Sequence, residues 1–120
     1  MSNVNTIELK PFLPSKDFEV SQQFYRDLGF AMESLGPDLA YFSHGASKFL
    51  LQNFYVKTLA ENFVVHLLVH DVDSWWEVAN NVMPKYGTSL DVVRTQPWGL
   101  RDFTFHDPCG VLWRVGQKIA

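Results

Sequence analysis

Three shortages narrow the possibilities for this 120-residue chain. Cysteine occurs once, at Cys109, so no intrachain disulfide can staple the fold. That cysteine sits in Asp107-Pro108-Cys109-Gly110 and reads as a turn residue rather than a nucleophile. Clustered positive charge is also missing. Ten Lys and Arg lie scattered among thirteen Asp and Glu, for a net charge of −3. A nucleic-acid partner needs a basic face and is excluded. Long apolar runs are the third shortage. None approaches the roughly 18 residues of a membrane span, so no membrane partner is expected. The first residues, MSNVNTIELKPF, lack a basic start followed by an apolar stretch. No signal peptide is read there, and a cytoplasmic location is expected.

What is present is apolar and aromatic. Apolar residues make up 47% of the chain and aromatics 15%, with four Trp, four Tyr and ten Phe. One domain over residues 1–120 is expected, burying roughly two-thirds of its unfolded surface without staples. Flat rings in excess of a core's needs can also line a cleft.

The pattern along the chain is a plan stated twice. Ile7–Leu13 reads as a strand ended by Pro14, after which Ser15 and Asp17 offer N-cap oxygens. Phe18, Ser21, Phe24, Tyr25 and Leu28 then recur at helical spacing until Gly29. Two or three short strands are expected from Phe30 to Phe54, with turns at Gly36-Pro37-Asp38 and His44-Gly45. Phe63–Val69 opens a second round. Asp71, Asp73 and Ser74 precede a helix, with Ser74 and Glu77 spaced as a capping box. Val72, Trp75, Trp76, Ala79, Val82, Met83 and Tyr86 form its apolar stripe, Pro84 marks its last turn or a kink, and Gly87 its end. Strands are expected near Ser89–Thr95, Leu100–His106 and Val111–Gly116. The predicted fold is α+β: two βαβββ repeats, about residues 7–54 and 63–117, forming a curved mixed sheet. Helices cover its outer face, and the other face is an open cup.

Particular strings resemble a known family. Leu13-Pro14-Ser15-Lys16-Asp17-Phe18 followed by Phe24-Tyr25-Arg26-Asp27-Leu28-Gly29-Phe30 is similar to the first half of the vicinal oxygen chelate superfamily. That group includes glyoxalase I, extradiol dioxygenases, and fosfomycin and bleomycin resistance proteins. Gln96-Pro97-Trp98-Gly99, Asp102-Phe103 and Asp107-Pro108-Cys109-Gly110 resemble bleomycin resistance proteins in particular. Cys109 departs from the small or acidic turn residue usual in relatives.

The resemblance implies where a metal would sit in metal-dependent relatives: one position on the first and one on the last strand of each half. Carried over, these are Lys10, Gln52, Val64 and Arg114, with Phe49-Leu50-Leu51-Gln52 paralleling Val111-Leu112-Trp113-Arg114. Valine has no lone pair, and Arg114 stays protonated. A like charge at ~4 Å costs about 4 kcal/mol at an effective dielectric near 20, doubled against a dication. Neither a metal nor a cofactor is expected, and no catalytic residue is assigned.

The resemblance further implies a binding protein that does no chemistry, holding a drug in grooves of a homodimer. Expected ligand-binding residues are Lys10, Gln52, His66, Trp98 and Arg114. His66 lies two residues beyond Val64 and shares its face, and Trp98 occupies a Pro-Trp-Gly turn where a core role is unnatural. The expected partners are a small molecule and a second copy of the chain, which would cover apolar surface on the open face. If the cup is net positive, its cations favour an anionic ligand over a cationic drug; the alternative for Arg114 is a pairing with a carboxylate such as Asp102. The alternative is a glyoxalase-like lyase or isomerase with a divalent metal, or metal-free acid–base chemistry by His66 with Glu8 or Asp102.

Overall fold

A computed structural model describes residues 2–119. β1 (Phe12–Pro14), α1 (Phe18–Asp27), β2 (Ala31–Ser34), β3 (Leu39–His44) and β4 (Ser47–Gln52) form the first half. A single turn, α2 (Lys57–Glu61), leads to the second half: β5 (Val64–Leu68), α3 (Val72–Tyr86), β6 (Arg94–Thr95), β7 (Leu100–His106) and β8 (Leu112–Lys118). The halves form two four-stranded sheets of matching order, β1-β4-β3-β2 and β5-β8-β7-β6. Each has one parallel pair, β1 with β4 and β5 with β8, and is otherwise antiparallel.

Local chemistry sets the helix limits. The Asp17 carboxylate accepts from the Val20 N–H at 3.2 Å and caps α1. The stripe of Phe18, Ser21, Phe24, Tyr25 and Leu28 is buried as its spacing predicts. In α3 the cap is Asp71, whose carboxylate accepts from the Ser74 N–H at 3.1 Å and its hydroxyl at 2.7 Å. The helix therefore starts before the expected Ser74–Glu77 box, because a carboxylate three residues upstream already takes the orphan amide. Gly87, at φ 64°, closes α3 in the left-handed conformation that a Cβ disfavours.

Other expectations shift. The strand expected over Ile7–Leu13 is confined to Phe12–Pro14. Upstream of Pro11, whose carbonyl accepts from the Leu50 N–H, no strand of this chain pairs with the segment among the described residues. Ser89–Thr95 pairs only at an isolated Leu90–Phe105 bridge and at Arg94–Thr95. α2 went unpredicted, since its cap, Val56, makes no side-chain hydrogen bond.

A shared aromatic core joins the halves. Phe24 lies 6.0 Å from Phe105, and Trp113 lies 5.6 Å from Tyr25 and 5.7 Å from Phe49, between ring centroids. Trp113 of β8 thus packs across the halves, with Tyr25 of α1 among its ring partners. A buried polar chain runs through this core. The Trp113 Nε1–H donates to the Tyr25 hydroxyl at 3.0 Å, and that hydroxyl donates to Asp107 Oδ2 at 2.5 Å. Asp107 Oδ1 accepts from the Cys109 and Val111 amides, fixing the β7–β8 turn. Burial pushes the Tyr25 hydroxyl far above its ordinary range and also raises the Asp107 carboxyl, despite the hydrogen bonds it accepts.

Candidate ligand-binding site

Strand alternation gives each sheet two chemically distinct faces. In the second half, Phe103, Phe105, Trp113 and Val115 enter the core. The intervening residues face away. Register pairs His66 with Arg114, Arg114 with Thr104, and Asp102 with Gly116 on this second face.

The centre of the open face is an ion pair. Arg114 Nη1 donates to Asp102 Oδ2 at 2.9 Å, and Gln96 Nε2 donates to Oδ1 of the same carboxylate at 2.9 Å. Asp102 is 2% exposed, so both partners compensate a charge largely withdrawn from water. The Trp98 ring centroid lies 5.7 Å from the Arg114 guanidinium carbon, within cation–π range. Trp98 itself is 58% exposed. Gly99 follows it at φ 86°, a backbone state the tight turn requires. Gly116 keeps the floor shallow: a Cβ there would stand 3.5 Å from both His66 Nε2 and Asp102 Cβ.

In the first half the end of β4 borders a largely apolar wall. Gln52 ends β4 and lines a cavity of about 330 Å³ with Phe12, Phe54, Val56, Leu59 and Phe63, beside the Asn62 amide. Lys10 lies ahead of β1, with Nζ 2.6 Å from Glu8 Oε1 and 5.4 Å from the Tyr41 ring centroid. The Tyr41 hydroxyl donates to Glu8 Oε2 at 3.2 Å, so the Glu8–Lys10 pair rests against β3.

The structure thus gathers His66, Trp98 and Arg114 on the second sheet and sets Gln52 and Lys10 on the first. Register refines the parallel between halves. Val64 pairs with Leu112 as Phe12 pairs with Leu50, so the counterpart of Val64 is Phe12 rather than Lys10. Each expected cation also has a carboxylate partner, Lys10 with Glu8 and Arg114 with Asp102. The anticipated positive cup is therefore close to neutral. Asp102 was foreseen as a possible partner of Arg114, whereas Asp91 and the apolar wall of Phe54, Val56 and Leu59 carried no recognisable motif.

A divalent metal of the superfamily type would need converging donors. The last-strand positions hold Gln52 and Arg114, and their first-strand partners are Pro14 and His66. One imidazole beside a guanidinium, with an amide on the other sheet, does not fit such an ion. Among the described residues, no group of three or more His, Cys, Asp or Glu could hold a metal.

Two like halves, each a mixed sheet with a helix on one face and side chains presented on the other, define a paired-βαβββ α+β protein. The sequence model of the Glyoxalase/Bleomycin resistance protein/Dioxygenase superfamily matches residues 4–115, and the chain belongs to that superfamily. No curated protein matches it in sequence. Among solved structures it is similar to a bleomycin resistance determinant encoded on transposon Tn5, at 23% identity and TM-score 0.80, covering 96% of this chain and 100% of that one. It is also similar to a bleomycin-binding protein from bleomycin-producing Streptomyces verticillus complexed with copper(II)-bleomycin. There the identity is 20% and the TM-score 0.80, with 98% of this chain and 100% of that one covered. A lactoylglutathione lyase from Agrobacterium tumefaciens shows the same fold at 19% identity and TM-score 0.67, over 94% of this chain and 95% of that one.

Proposed function

We propose that this protein binds a small molecule without a metal, sequestering a bleomycin-type antibiotic or similar ligand in grooves of a homodimer. The observation that carries the reading is the second-half open face. There an exposed indole stands beside a neutralised Arg114–Asp102 pair, with His66 and Thr104 alongside. Such a surface offers stacking area and hydrogen bonds but no reactive pair of nucleophile and base. Near-neutrality removes the electrostatic objection to a ligand with a cationic tail. The pattern of chemistry supports the homodimer too. Ile7 and Leu9 are 99% and 88% exposed on the N-terminal segment, and Phe12, Phe54 and Leu59 are exposed near the first-half cavity. A two-fold partner would remove these groups from water.

A tryptophan-fluorescence titration with metal-free bleomycin, chelator present throughout, tests the reading. Saturable quenching that is lost in Trp98→Ala is expected. A flat response in the wild type overturns the antibiotic assignment, and binding that needs an added divalent ion overturns metal independence. Sedimentation showing only monomer at micromolar concentration overturns the shared groove.

A further inference from the structure

The segment carrying Gln96 and Trp98 reaches the open face through a one-residue slip in strand pairing. Leu90 bridges Phe105, and Arg94 pairs with Asp102. Between those points this segment advances four residues against three on β7, which is the count of a β-bulge. The slip decides orientation. Leu90 packs against the core opposite Phe105, and in an unbulged strand the even-numbered residues after it would stay on that face. With the extra residue, Arg94 pairs with Asp102 of the open face and Gln96 can donate to the Asp102 carboxylate. Trp98 follows two residues later, over Arg114.

Asp91 holds the bulge together. Its carboxylate accepts from the Thr104 N–H at 2.6 Å and from the Thr104 hydroxyl at 3.0 Å, replacing a backbone acceptor that the slipped ladder cannot offer. Its own N–H donates to the Thr104 carbonyl at 3.1 Å. Its carbonyl accepts from Trp76 Nε1–H of α3 at 2.7 Å, and Arg94 Nη1 lies 3.6 Å from its carboxylate. Side-chain and backbone groups of one residue therefore tie the loop root to β7 and to α3.

We infer that Asp91 is a positioning residue: its carboxylate stabilises the bulge that turns Gln96 and Trp98 onto the binding face. The inference rests on the reading of that face as the ligand site, but its structural part can be tested alone. The Asp91→Asn substitution would keep both ties, since an amide carbonyl can accept from the Thr104 N–H and its NH₂ can donate to the Thr104 hydroxyl oxygen. Alanine keeps only the backbone ties.

The test compares wild type, Asp91→Ala and Asp91→Asn, each with and without Trp98→Phe, so that difference spectra isolate Trp98 from the other indoles. In Asp91→Ala, Trp98 emission is expected to move to the red and its acrylamide quenching to rise, while Asp91→Asn stays close to wild type. Metal-free bleomycin should then bind Asp91→Ala about tenfold more weakly, with Asp91→Asn restored. Unchanged Trp98 emission and quenching in a folded Asp91→Ala overturn the inference. Should Asp91→Ala fail to fold, Thr104→Val, which removes the hydroxyl tie and keeps the amide, is read the same way: a red shift supports the inference and none overturns it. Absence of bleomycin binding in the wild type would sink the ligand assignment, leaving the Trp98 signal to decide the role of Asp91.

Discussion

Replacing Tyr25 by Phe removes a single oxygen from the buried chain that joins the two halves. That oxygen donates to Asp107 of the β7–β8 turn and accepts from the Trp113 indole N–H. The ring itself is retained, so its packing against Phe49 and Trp113 survives and the cavity contribution is small. Tyr25, Asp107 and Trp113 are each at most 2% exposed, so water cannot replace the lost partner. A hydrogen bond to a charged group contributes about 1.5–3 kcal/mol, and an orphaned buried donor costs about 1–3 kcal/mol. The two losses overlap, and about 3 kcal/mol is expected for Tyr25→Phe. Unfolding entropy of about 2.1 cal/mol/K per residue translates this into a fall in Tm of about 12 °C for a chain of this length. Urea and thermal unfolding, followed by near-UV circular dichroism, would measure it. In the double variant Tyr25→Phe/Asp107→Asn, the second change should add much less than it does alone, because both interrupt one chain. A loss below about 1 kcal/mol, or simple additivity, would refute the view that this chain fastens the halves together.

Two further stability measurements follow from other polar contacts. Arg114→Met should cost about 2 kcal/mol in urea unfolding, because Asp102 keeps only Gln96 as a side-chain partner while its carboxylate stays buried. Adding Asp102→Asn should recover part of that loss, and no recovery would mean the pair is not what the substitution disturbs. The pair of Tyr86 on α3 and Asp27 on α1, joined at 2.6 Å, predicts a pH profile. The Tyr86 hydrogen bond, foremost, depresses the Asp27 carboxyl below 3.8, so its contribution is present above that value and fades as pH falls through the depressed one. Burial first, and Asp27 second, push the Tyr86 hydroxyl from 10 up to about 12, so its contribution is intact below pH 10 and is lost as pH rises through about 12. Thermal melts across this range should show both limbs flattened in Tyr86→Phe, and a Tyr86→Phe alkaline limb identical to that of the wild type would refute the assignment.

Much of the architecture could be read in one dimension because it depends on local periodicity. The stripes of α1 and α3, the glycine ends at Gly29 and Gly87, the turn at Asp107–Gly110 and the bounds of β7 follow from rules spanning a few residues. The duplication was equally visible, since the order of patterns recurs. Local rules failed where pairing decides. Ile7–Leu9 has a strand's composition, yet β1 begins only at Phe12, where β4 supplies a partner. Asp71 and Ser74 both read as caps, and only the path of the chain chose between them.

For the candidate site, sequence alone determined the residue types and much of their phase: His66 on the strand face it shares with Val64, and Trp98 in a turn unsuited to a core. Only the tertiary structure decided what those residues mean together. It brought Asp102 against Arg114 and so cancelled a charge that sequence counts as free. It set Phe12, not Lys10, in register with the second-half plan, because the pairing of β1 with β4 is invisible in either strand by itself. It also placed Gln96 and Trp98 on the open face through a bulge fastened by Asp91, whose partners Thr104 and Trp76 lie thirteen residues ahead and fifteen behind. Periodicity records which side of its own strand a residue occupies. The charge, register and reach of a site come from contacts between strands, and those exist only once the chain has folded.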